Sequence, residues 1–525
     1  MSDLPQFEPL EPRRLLSNYY VSPNGSDRNP GTLDRPWQTL DRVNRQPFRG
    51  GDRILLEGGQ MFSGTLYLGP DDTGSRAAPI AISSYGPGGR ARINGGFRGH
   101  GLFAFNTAGL EISNLNFSGP LAGGRGRGIL LYNDLPGDRL LDYVRIDDVS
   151  ALRHEIGIEI GGGRGGSGFQ GVTITNTEVY HNRDAGLATY AAQRNVHTKM
   201  LIQNVRAFSN SGIPFEPGTV PDKVSGSGIL LGGVNYATVE HSVAFNNGTL
   251  GDGGVGIWTY DSNKVIFQFN ESYANRTAGE RDGDGFDFDQ NVSNSVMQYN
   301  YAHDNDGAGF LLATYHDNGL HTNTFVRYNV SQNDARKIGM GAIHAFGRIT
   351  NSYWYNNTIR ISPNGRNTPY GVQIFNGTIE SHHAANIVVR NNAIQTTGGV
   401  PAASVTSEQL DGAAGIRFEG NNYFASDGNL RFAWDNRIYG SLDAWRGVTG
   451  QERVNGTDVG SMLDPRHRRP NGGPAIAYRL WSDSPLIGRG LNLPALFGLE
   501  TGGRDFLGNP ISPGSAEVGA FEYVG

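Results

Sequence analysis

Four carboxylates fall within eight residues of the segment from Arg281 to Asp289, which reads Arg-Asp-Gly-Asp-Gly-Phe-Asp-Phe-Asp. Its last four residues alternate between phenylalanine and aspartate, which is typical of a β-strand because successive side chains point to opposite faces. Phe286 and Phe288 are therefore predicted to enter a core, while Asp287 and Asp289 stand together on the outer face. Neighbouring carboxylates repel and raise a pKa unless a cation or substrate group intervenes, so the pair is a candidate metal site or acid/base pair.

The same strand pattern recurs along the chain, mostly at intervals of roughly 24 to 33 residues, which is the range expected of stacked repeats. Each copy is a glycine followed by an apolar-x-apolar strand, and most copies are followed by a second short strand that ends in asparagine. We expect these asparagines at equivalent tight turns, where the left-handed conformation is tolerated and the amide can bond the next coil. The glycines are Gly128, Gly157, Gly186, Gly228, Gly256, Gly285, Gly309 and Gly371, with Ala342 in one copy. The asparagines are Asn176, Asn204, Asn270, Asn300, Asn329, Asn356 and Asn391.

Composition supports one long all-β solenoid. The 525 residues include 77 glycines, too many turn formers for a helical protein, and 37 % hydrophobic residues, too many for a disordered one. The formal charge of -6, with no run of Lys or Arg, predicts no nucleic-acid partner, and no apolar run is long enough to span a bilayer. Cysteine is absent, which excludes disulfides and thiolate metal sites. The oligomeric state is open, with a monomer expected.

The termini suggest how the solenoid is bounded. Residues 7–17 resemble a short export-associated motif of the L-E-P-R-x-L-L type found in bacterial surface proteins, so residues 1–18 are assigned as a leader and the protein as secreted or on the cell surface of a bacterium. The chain from Tyr19 resembles the opening of secreted right-handed parallel β-helix proteins, which implies a capping helix near Leu40 and about ten or more coils over residues 19–395. A Gly/Ala/Ser-rich passage then breaks the period, so residues 396–525 are expected to form irregular strands and loops packed on the last coils.

Stacked coils place equivalent outward side chains about 4.8 Å apart, so two rows can be written from the repeats. What we call the Asp287 row is Leu130, Glu159, Ala188, Leu230, Trp258, Asp287, Leu311, His344 and Gln373. The Asp289 row, two residues further along each strand, is Tyr132, Gly161, Tyr190, Gly232, Tyr260, Asp289, Ala313, Phe346 and Phe375. Acidic and aromatic side chains on one exposed face suit a sugar chain, whose faces stack on rings while its hydroxyls take hydrogen bonds. The predicted substrate-binding residues are Trp258, Tyr260, Tyr190, Tyr315, Glu159 and His303.

The central coils resemble those of the family 9 pectate lyases, through the Asp284-Gly-Phe-Asp287 element and the following Gly-Phe-Leu-Leu element that begins at Gly309. The resemblance implies that Asp284 and Asp287 bind calcium, and Asp282 in the same acidic turn joins them as a candidate ligand. In that family a lysine in the second element abstracts the proton, but Leu311 stands at that position here. Calcium is the one candidate cofactor, and no organic cofactor is expected.

Leucine cannot act as a base, so elimination would have to use His344, Lys337 or an arginine. Hydrolysis instead needs two carboxyl groups, which the outer face supplies, and other β-helix glycosidases, such as family 141, are a looser resemblance. We therefore predict a polysaccharide-degrading glycoside hydrolase. Its predicted catalytic residues are Asp287, Asp289, Asp306 and His344. Two alternatives remain: a calcium-assisted lyase or epimerase on an acidic glycan, and a non-catalytic glycan-binding surface protein.

Overall fold

The computed structural model describes residues 17–216, 224–314, 319, 321–375, 383–410, 415–469, 473–512, 514 and 516–524. Parallel strands wind through most of this range as a β-solenoid, which confirms the predicted all-β architecture. One sheet of fourteen strands carries Asp287 and is called the site sheet below; all its pairings are parallel except the last. Its strands are Leu66–Leu68, Leu102–Phe105, Arg127–Asn133, Ile156–Gly162, Ala185–Ala191, Ser227–Gly232, Ile257–Tyr260, Phe286–Phe288, Phe310–Thr314, Gly341–Gly347, Tyr370–Phe375, Ala403–Val405, Phe432–Trp434 and Arg437–Tyr439.

A second sheet of 25 strands forms the remaining two sides of each coil, called the second and third sides. The two sides count as one sheet because the long strands Leu110–Ser118 and Leu140–Leu152 take part in both. The other second-side strands are Asn18–Val21, Arg53–Glu57, Ile80–Tyr85, Gly168–Thr175, His197–Gln203, Val234–Glu240, Asn263–Gln268, Ser293–Gln298, His321–Arg327, Ile349–Tyr355, Ala385–Arg390 and Arg417–Glu419. The other third-side strands are Met61–Ser63, Ala91–Asn94, Glu178–Tyr180, Arg206–Phe208, Val243–Phe245, Glu271–Tyr273, Tyr301–His303, Val330–Gln332, Thr358–Ile361, Ala393–Thr396 and Asn422–Ala425.

The inward side chains of all three sides form one continuous core, because alternate residues of every strand face the solenoid interior. A short helix, Leu40–Val43, buries both its end residues in this core near the first coils, where the sequence predicts a cap. The remaining small elements are the helices Ser407–Leu410, Leu442–Thr449 and Leu493–Phe497, the 3-10 helix Ala475–Tyr478 and the two-stranded ribbon Arg453–Val454 with Thr457–Asp458. In the part of the chain described, no helix is long and apolar enough to cross a membrane.

The parallel coils continue past the predicted boundary at residue 395 and end near Trp434. The Gly/Ala/Ser-rich passage does not break the solenoid, because small residues such as Ala402 and Ala403 fill inward positions and are fully buried. Beyond Trp434 the chain turns back along the coils, where Tyr478 packs against Tyr301 of the third side. The predicted leader lies outside the described residues except at its end, and export stays a prediction.

The repeated asparagines occupy two successive positions of each turn rather than one. Asn176, Asn204, Asn356 and Asn391 have φ between 50° and 54° and take the left-handed position. Asn270, like Asn300 and Asn329, is the next residue, and it follows a left-handed aromatic residue such as Phe269 (φ 56°). The sequence alignment of the repeats therefore merged two roles, since Asn suits both a left-handed turn and a buried hydrogen-bonding position.

The second position forms a continuous amide ladder between the second and third sides. Asn300 Nδ2 donates to Asn329 Oδ1 at 3.1 Å and to the Phe267 carbonyl at 2.8 Å, while its Oδ1 accepts the backbone N–H of Asn270 at 3.1 Å. Every polar atom of the side chain thus has a partner in a fully buried position. The members are Asn270, Asn300, Asn329, Asn357, Asn392 and Asn421.

A parallel ladder lies between the third side and the site sheet, and each ladder ends on a buried carboxylate. Its members are Asn182, Asn210, Asn247, Asn275 and Asn305. Asn305 donates to Asp334 at 2.8 Å, whereas Asn421 of the first ladder donates to Glu452 at 2.8 Å. Burial raises the pKa of Asp334 to about 6 and that of Glu452 to about 7, against the hydrogen bonds they accept. Each carboxylate accepts the hydrogen bond from the last asparagine of its ladder, so no further asparagine is needed on the next coil.

We expect Asn300→Ala to lower the free energy of unfolding by about 3 kcal/mol, because it leaves buried donors and acceptors of neighbouring coils unpaired. Urea denaturation followed by circular dichroism measures the loss. Gln298→Ala, which removes a half-buried amide from the same coil, is the matched control and should cost less than half as much. An equal loss in both variants would mean that the ladder has no special energetic role.

We also expect Glu452→Gln to change how stability depends on pH. Because the folded-state pKa of Glu452 lies above its unfolded value, its contribution is present at low pH and is lost as pH rises through about 7. The stability of the variant relative to the native protein should therefore rise by on the order of 3 kcal/mol between pH 5 and pH 8.5. A pH-independent difference between the two denaturation curves would contradict this.

Candidate active site

The strand Phe286–Phe288 places its side chains as the alternation predicts. Phe286 and Phe288 are fully buried in the solenoid core, and the Phe286 ring stacks on the Phe310 ring of the next coil at 5.2 Å. Asp287 lies on the opposite face of the sheet, between Trp258 and Leu311 of the neighbouring strands. Thus the register of the Asp287 row is confirmed around its acid.

The face is not the open surface that the sequence suggests. Asp287 is only 2 % exposed and Asp289 only 7 %, so the prediction of exposed acids in an open groove is wrong at this point. The physical reason is that bulky neighbours enclose the position, since Leu311 is itself buried in an outward cluster with Met340 and Phe346. The pair is a pair of buried acids rather than surface charges.

Burial and mutual repulsion set the electrostatics of the acids. The pKa of Asp287 is raised well above its usual value by burial and then by the carboxylates of Asp289, Asp284 and Asp282. Within the described residues, Asp287 Oδ1 has no hydrogen-bond partner. Asp289 differs, because its Oδ1 accepts the backbone N–H of Gln290 at 2.6 Å, which stabilises a negative charge. The environments of the two acids therefore differ, since burial favours the neutral form of Asp287 and the Asp289 carboxylate accepts a backbone hydrogen bond.

The two acids between glycines lie in the turn that precedes the strand. Burial and Asp282 raise the pKa of Asp284 well above its usual value, although its Oδ1 accepts the backbone N–H of Ala308. Burial also raises the pKa of Asp282 to about 6, and Arg281 opposes that rise. No three Asp, Glu or His side chains in the described ranges converge as ligands of a metal ion, so side chains alone do not complete the implied calcium site of Asp282, Asp284 and Asp287. Calcium binding stays a prediction.

Asp306 is held by other partners. Its carboxylate accepts hydrogen bonds from Arg276 Nη1 and from the backbone N–H of Thr277, both at 3.2 Å. The carboxylates that raise the pKa of Asp287 do not include it. The structure therefore places Asp306 in a turn-stabilising ion pair and does not bring it to the Asp287–Asp289 pair.

His344 lies in the Asp287 row, as predicted, but Leu311 separates it from Asp287. Two strand spacings, about 10 Å, lie between their Cα atoms. Burial lowers the pKa of His344 to about 4, although the neighbouring Gln373 side chain opposes that shift. His344 is thus neutral at pH 7, which suits a side chain that holds a substrate hydroxyl better than one that donates a proton.

His303 is on a different side of the solenoid from the acids. Its strand, Tyr301–His303, belongs to the third side, and the imidazole is stacked between Tyr273 and Tyr301 with ring centroids 4.7 and 4.4 Å away. Burial lowers its pKa, but hydrogen bonds with Asp304 and Glu271 raise it to about 9. His303 therefore does not lie with Asp287 on the site sheet, because strand spacing alone does not identify the side on which a strand lies. Its role in substrate binding stays a prediction.

The predicted sugar-binding residues on the site sheet are in register but differ in access. Trp258 is 8 % exposed and donates from Nε1 to Ser227 Oγ at 2.9 Å, so its faces are largely covered. Tyr260 and Tyr190 are half-buried. Glu159 lies four strand spacings, about 19 Å, from Asp287. Tyr315 lies outside the described residues.

Two ion pairs of the site were missed from the sequence. Arg127 pairs with Glu159, and Arg281 Nε lies 2.8 Å from Asp252 Oδ2. The second pair could have been found from the repeat. Asp252 and Arg281 each precede the strand glycine of their repeat by four residues, so they occupy equivalent positions in successive coils.

A cavity of about 680 Å³ lies at the turns of the last coils, between Pro363, Pro401 and Arg431, far along the chain from the acids. The acid cluster is thus distinguished by its buried charge rather than by an open volume.

Comparison with known proteins establishes the handedness of the fold. A family model for the right-handed β-helix region matches residues 165–359, which confirms the predicted right-handed parallel β-helix over those coils. The chain is 23 % identical over 450 residues to lacto-N-biosidase from Bifidobacterium longum subsp. longum, an alignment that covers 66 % of this chain and 27 % of that protein. The chain thus spans about a quarter of the length of this relative.

Solved structures agree on the fold. The GH136 lacto-N-biosidase from Eubacterium ramulus superposes with a TM-score of 0.51 at 18 % identity, covering 69 % of this chain and 67 % of that one. A PL6 family alginate lyase superposes with a TM-score of 0.53 at 14 % identity, covering 89 % of this chain and 57 % of that one. The chain therefore has the right-handed β-helix fold, which a glycoside hydrolase and a polysaccharide lyase share with it.

Proposed function

We propose that this protein is a glycoside hydrolase in which Asp287 is the general acid and Asp289 the catalytic carboxylate. The observation that carries the proposal is the difference between two acids, Asp287 on the strand Phe286–Phe288 and Asp289 directly after it. Asp287 has a raised pKa and an oxygen without a partner among the described residues, while Asp289 accepts a backbone N–H. Titratable groups whose environments differ in this way are the usual acid and base of glycoside hydrolysis. The sequence similarity to a lacto-N-biosidase supports the same reaction class.

The reaction follows from these roles. Asp287 transfers its proton to the glycosidic oxygen as the bond between that oxygen and the anomeric carbon breaks. Asp289 either removes a proton from the attacking water or attacks the anomeric carbon itself, in which case water then releases the sugar. One water is consumed and both carboxyl groups return to their starting states. The anomer of the first product distinguishes the two routes.

The lysines described do not supply the base that elimination needs. Lys337, the candidate that could reach the groove from its loop, donates through Nζ to the carbonyls of Thr277 and Ala278 at 2.7 and 3.1 Å. Lys264 donates to the Tyr236 hydroxyl on the second side. With Leu311 in the row, elimination would need an arginine or His344, whose lowered pKa makes it a weak base.

We expect Asp287→Asn and Asp289→Asn each to lower kcat/KM by about 10²–10⁴-fold on the glycan that the native protein cleaves. A panel of neutral and uronate-containing polysaccharides, scored for new reducing ends and for the ultraviolet absorbance of unsaturated uronate, identifies that glycan. Asp306→Asn is the comparison variant, and we expect it to lower the melting temperature but to retain turnover. Full turnover in a folded Asp287→Asn protein would refute the assignment, and absorbance rising with the reducing ends would establish elimination instead.

Removal of divalent cations provides an independent test. Since the buried acids do not form a three-ligand metal site, we expect dialysis against a chelator to leave the rate of reducing-end release within about twofold of its starting value. Loss of turnover that added Ca²⁺ restores, with an unchanged melting temperature, would instead support the calcium-assisted lyase.

A further inference from the structure

A line of aromatic rings leads along the site sheet to Asp289. The Cα register runs from Phe105 to Tyr132, then through Gly161 to Tyr190. It continues through Gly232 to Tyr260. On the next coil, Asp289 directly follows Phe288, which is the register partner of Thr259, the residue before Tyr260. We call Phe105, Tyr132, Tyr190 and Tyr260 the aromatic stripe. From Phe105 to Asp289 the stripe spans six strand spacings, about 29 Å.

The alternating glycines determine how the rings lie. A Cβ on Gly161 would be 2.6 Å from the Tyr190 hydroxyl, and a Cβ on Gly232 would be 2.5 Å from Tyr260 Cζ. Each phenol therefore occupies the space above the glycine of the preceding coil, so its ring extends along the sheet instead of standing away from it. The rings are half-buried, so part of each remains exposed to solvent, and the Phe105 and Tyr132 rings lie nearly parallel with their centroids 6.2 Å apart.

The spacing of the rings suits an extended sugar chain. Tyr132, Tyr190 and Tyr260 follow each other at two strand spacings, about 10 Å, which is comparable to the length of a disaccharide unit in an extended chain. A chain lying along the solenoid axis would thus meet a ring at every second sugar. The third side differs, because its rings stack face to face and cover each other. The ring centroids of Tyr180, Phe208, Phe245 and Tyr273 follow one another at 4.8 to 5.0 Å.

The charges beside the stripe favour a neutral chain. Arg127 pairs with Glu159, and Arg194 Nε lies 3.3 Å from Asp261 Oδ1, so both cations are already neutralised. A uronate polymer would bring carboxylates towards Asp289, and these two arginines are already paired with acids of the chain. Neutral sugars need only ring faces and hydrogen bonds.

We propose that the aromatic stripe binds a neutral, extended polysaccharide along the solenoid axis and delivers it to the Asp287–Asp289 pair, so that the substrate is a polymer rather than a short oligosaccharide. This inference rests on the proposed hydrolase function. It adds Tyr132 and Phe105 as substrate-binding residues some 20 Å or more from the acids, where an enzyme acting on a short substrate would need none.

The test measures binding separately from turnover. In the Asp287→Asn background, native gel electrophoresis through konjac glucomannan, arabinoxylan, hydroxyethyl cellulose or, as the acidic probe, polygalacturonate gives a retardation for each polymer. We expect retardation by at least one neutral polymer and none by polygalacturonate. Tyr190→Ala should weaken it about tenfold and Tyr132→Ala somewhat less, whereas Tyr180→Ala, a half-buried tyrosine of the third side, should leave it unchanged. Gly232→Ala, which keeps every ring but displaces Tyr260, should weaken it as well.

The outcomes separate this inference from the proposed function. Three results would contradict binding at the aromatic stripe: unchanged retardation in both Tyr190→Ala and Gly232→Ala, retardation by polygalacturonate alone, or no retardation by any neutral polymer. None of them bears on the Asp287–Asp289 pair, which the turnover assay tests separately. Conversely, stripe-dependent retardation together with full turnover in Asp287→Asn would keep the binding surface and reject the hydrolase assignment. Activity that does not rise with chain length on oligosaccharides of the cleaved polymer would also overturn the stripe.

Discussion

Hydrogen bonding between buried amides of successive coils fixes the register on which every other feature of this protein depends. Each ladder asparagine bonds the next asparagine and a carbonyl of the coil before it, so a coil cannot slide by one residue without leaving buried polar groups unpaired. In a sheet, a slip of one residue would also move every outward side chain to the inner face. The ladders thus hold Trp258, Asp287 and Leu311 side by side, and they keep the rings of the aromatic stripe in one line.

The ladder next to the site sheet also takes part in the electrostatics of the acids. It ends at Asp334, in the turn one coil beyond the one that holds Asn305, and the carboxylate of Asp334 is one of the charges that raise the pKa of Asp284. The charge at the end of the asparagine ladder therefore contributes to the electrostatic potential at the candidate site. Interiors screen charge poorly, so the charge of Asp334 raises the pKa of Asp284, and the charge of Asp284 raises the pKa of Asp287. These acids therefore titrate as a group.

Much of the fold could be read from the sequence because strand alternation and repeat spacing are local signals. The outward position of Asp287 and the core position of Phe288 followed from four residues. What could not be read were properties set by distant segments: the enclosure of Asp287, the ion pair that holds Asp306 and the side on which His303 lies. The end of the solenoid was predicted too early, near residue 395, for a related reason. Alanine is uncommon in strands, but Ala402 is fully buried at a narrow position in the core.

The presence of an acid at position 287 is itself an argument for function. Leucine stands at the equivalent position of the neighbouring coil, and a leucine between Trp258 and Leu311 would bury apolar surface without the desolvation that a carboxyl group suffers. The fold gains nothing from this acid, since Asp287 Oδ1 has no partner among the described residues and its neighbours Asp284 and Asp289 repel it. Groups that lower stability in this way persist where they are needed for chemistry. A carboxyl group whose pKa is raised by its surroundings, placed two residues before a second carboxyl group, is suited to donating a proton to a glycosidic oxygen.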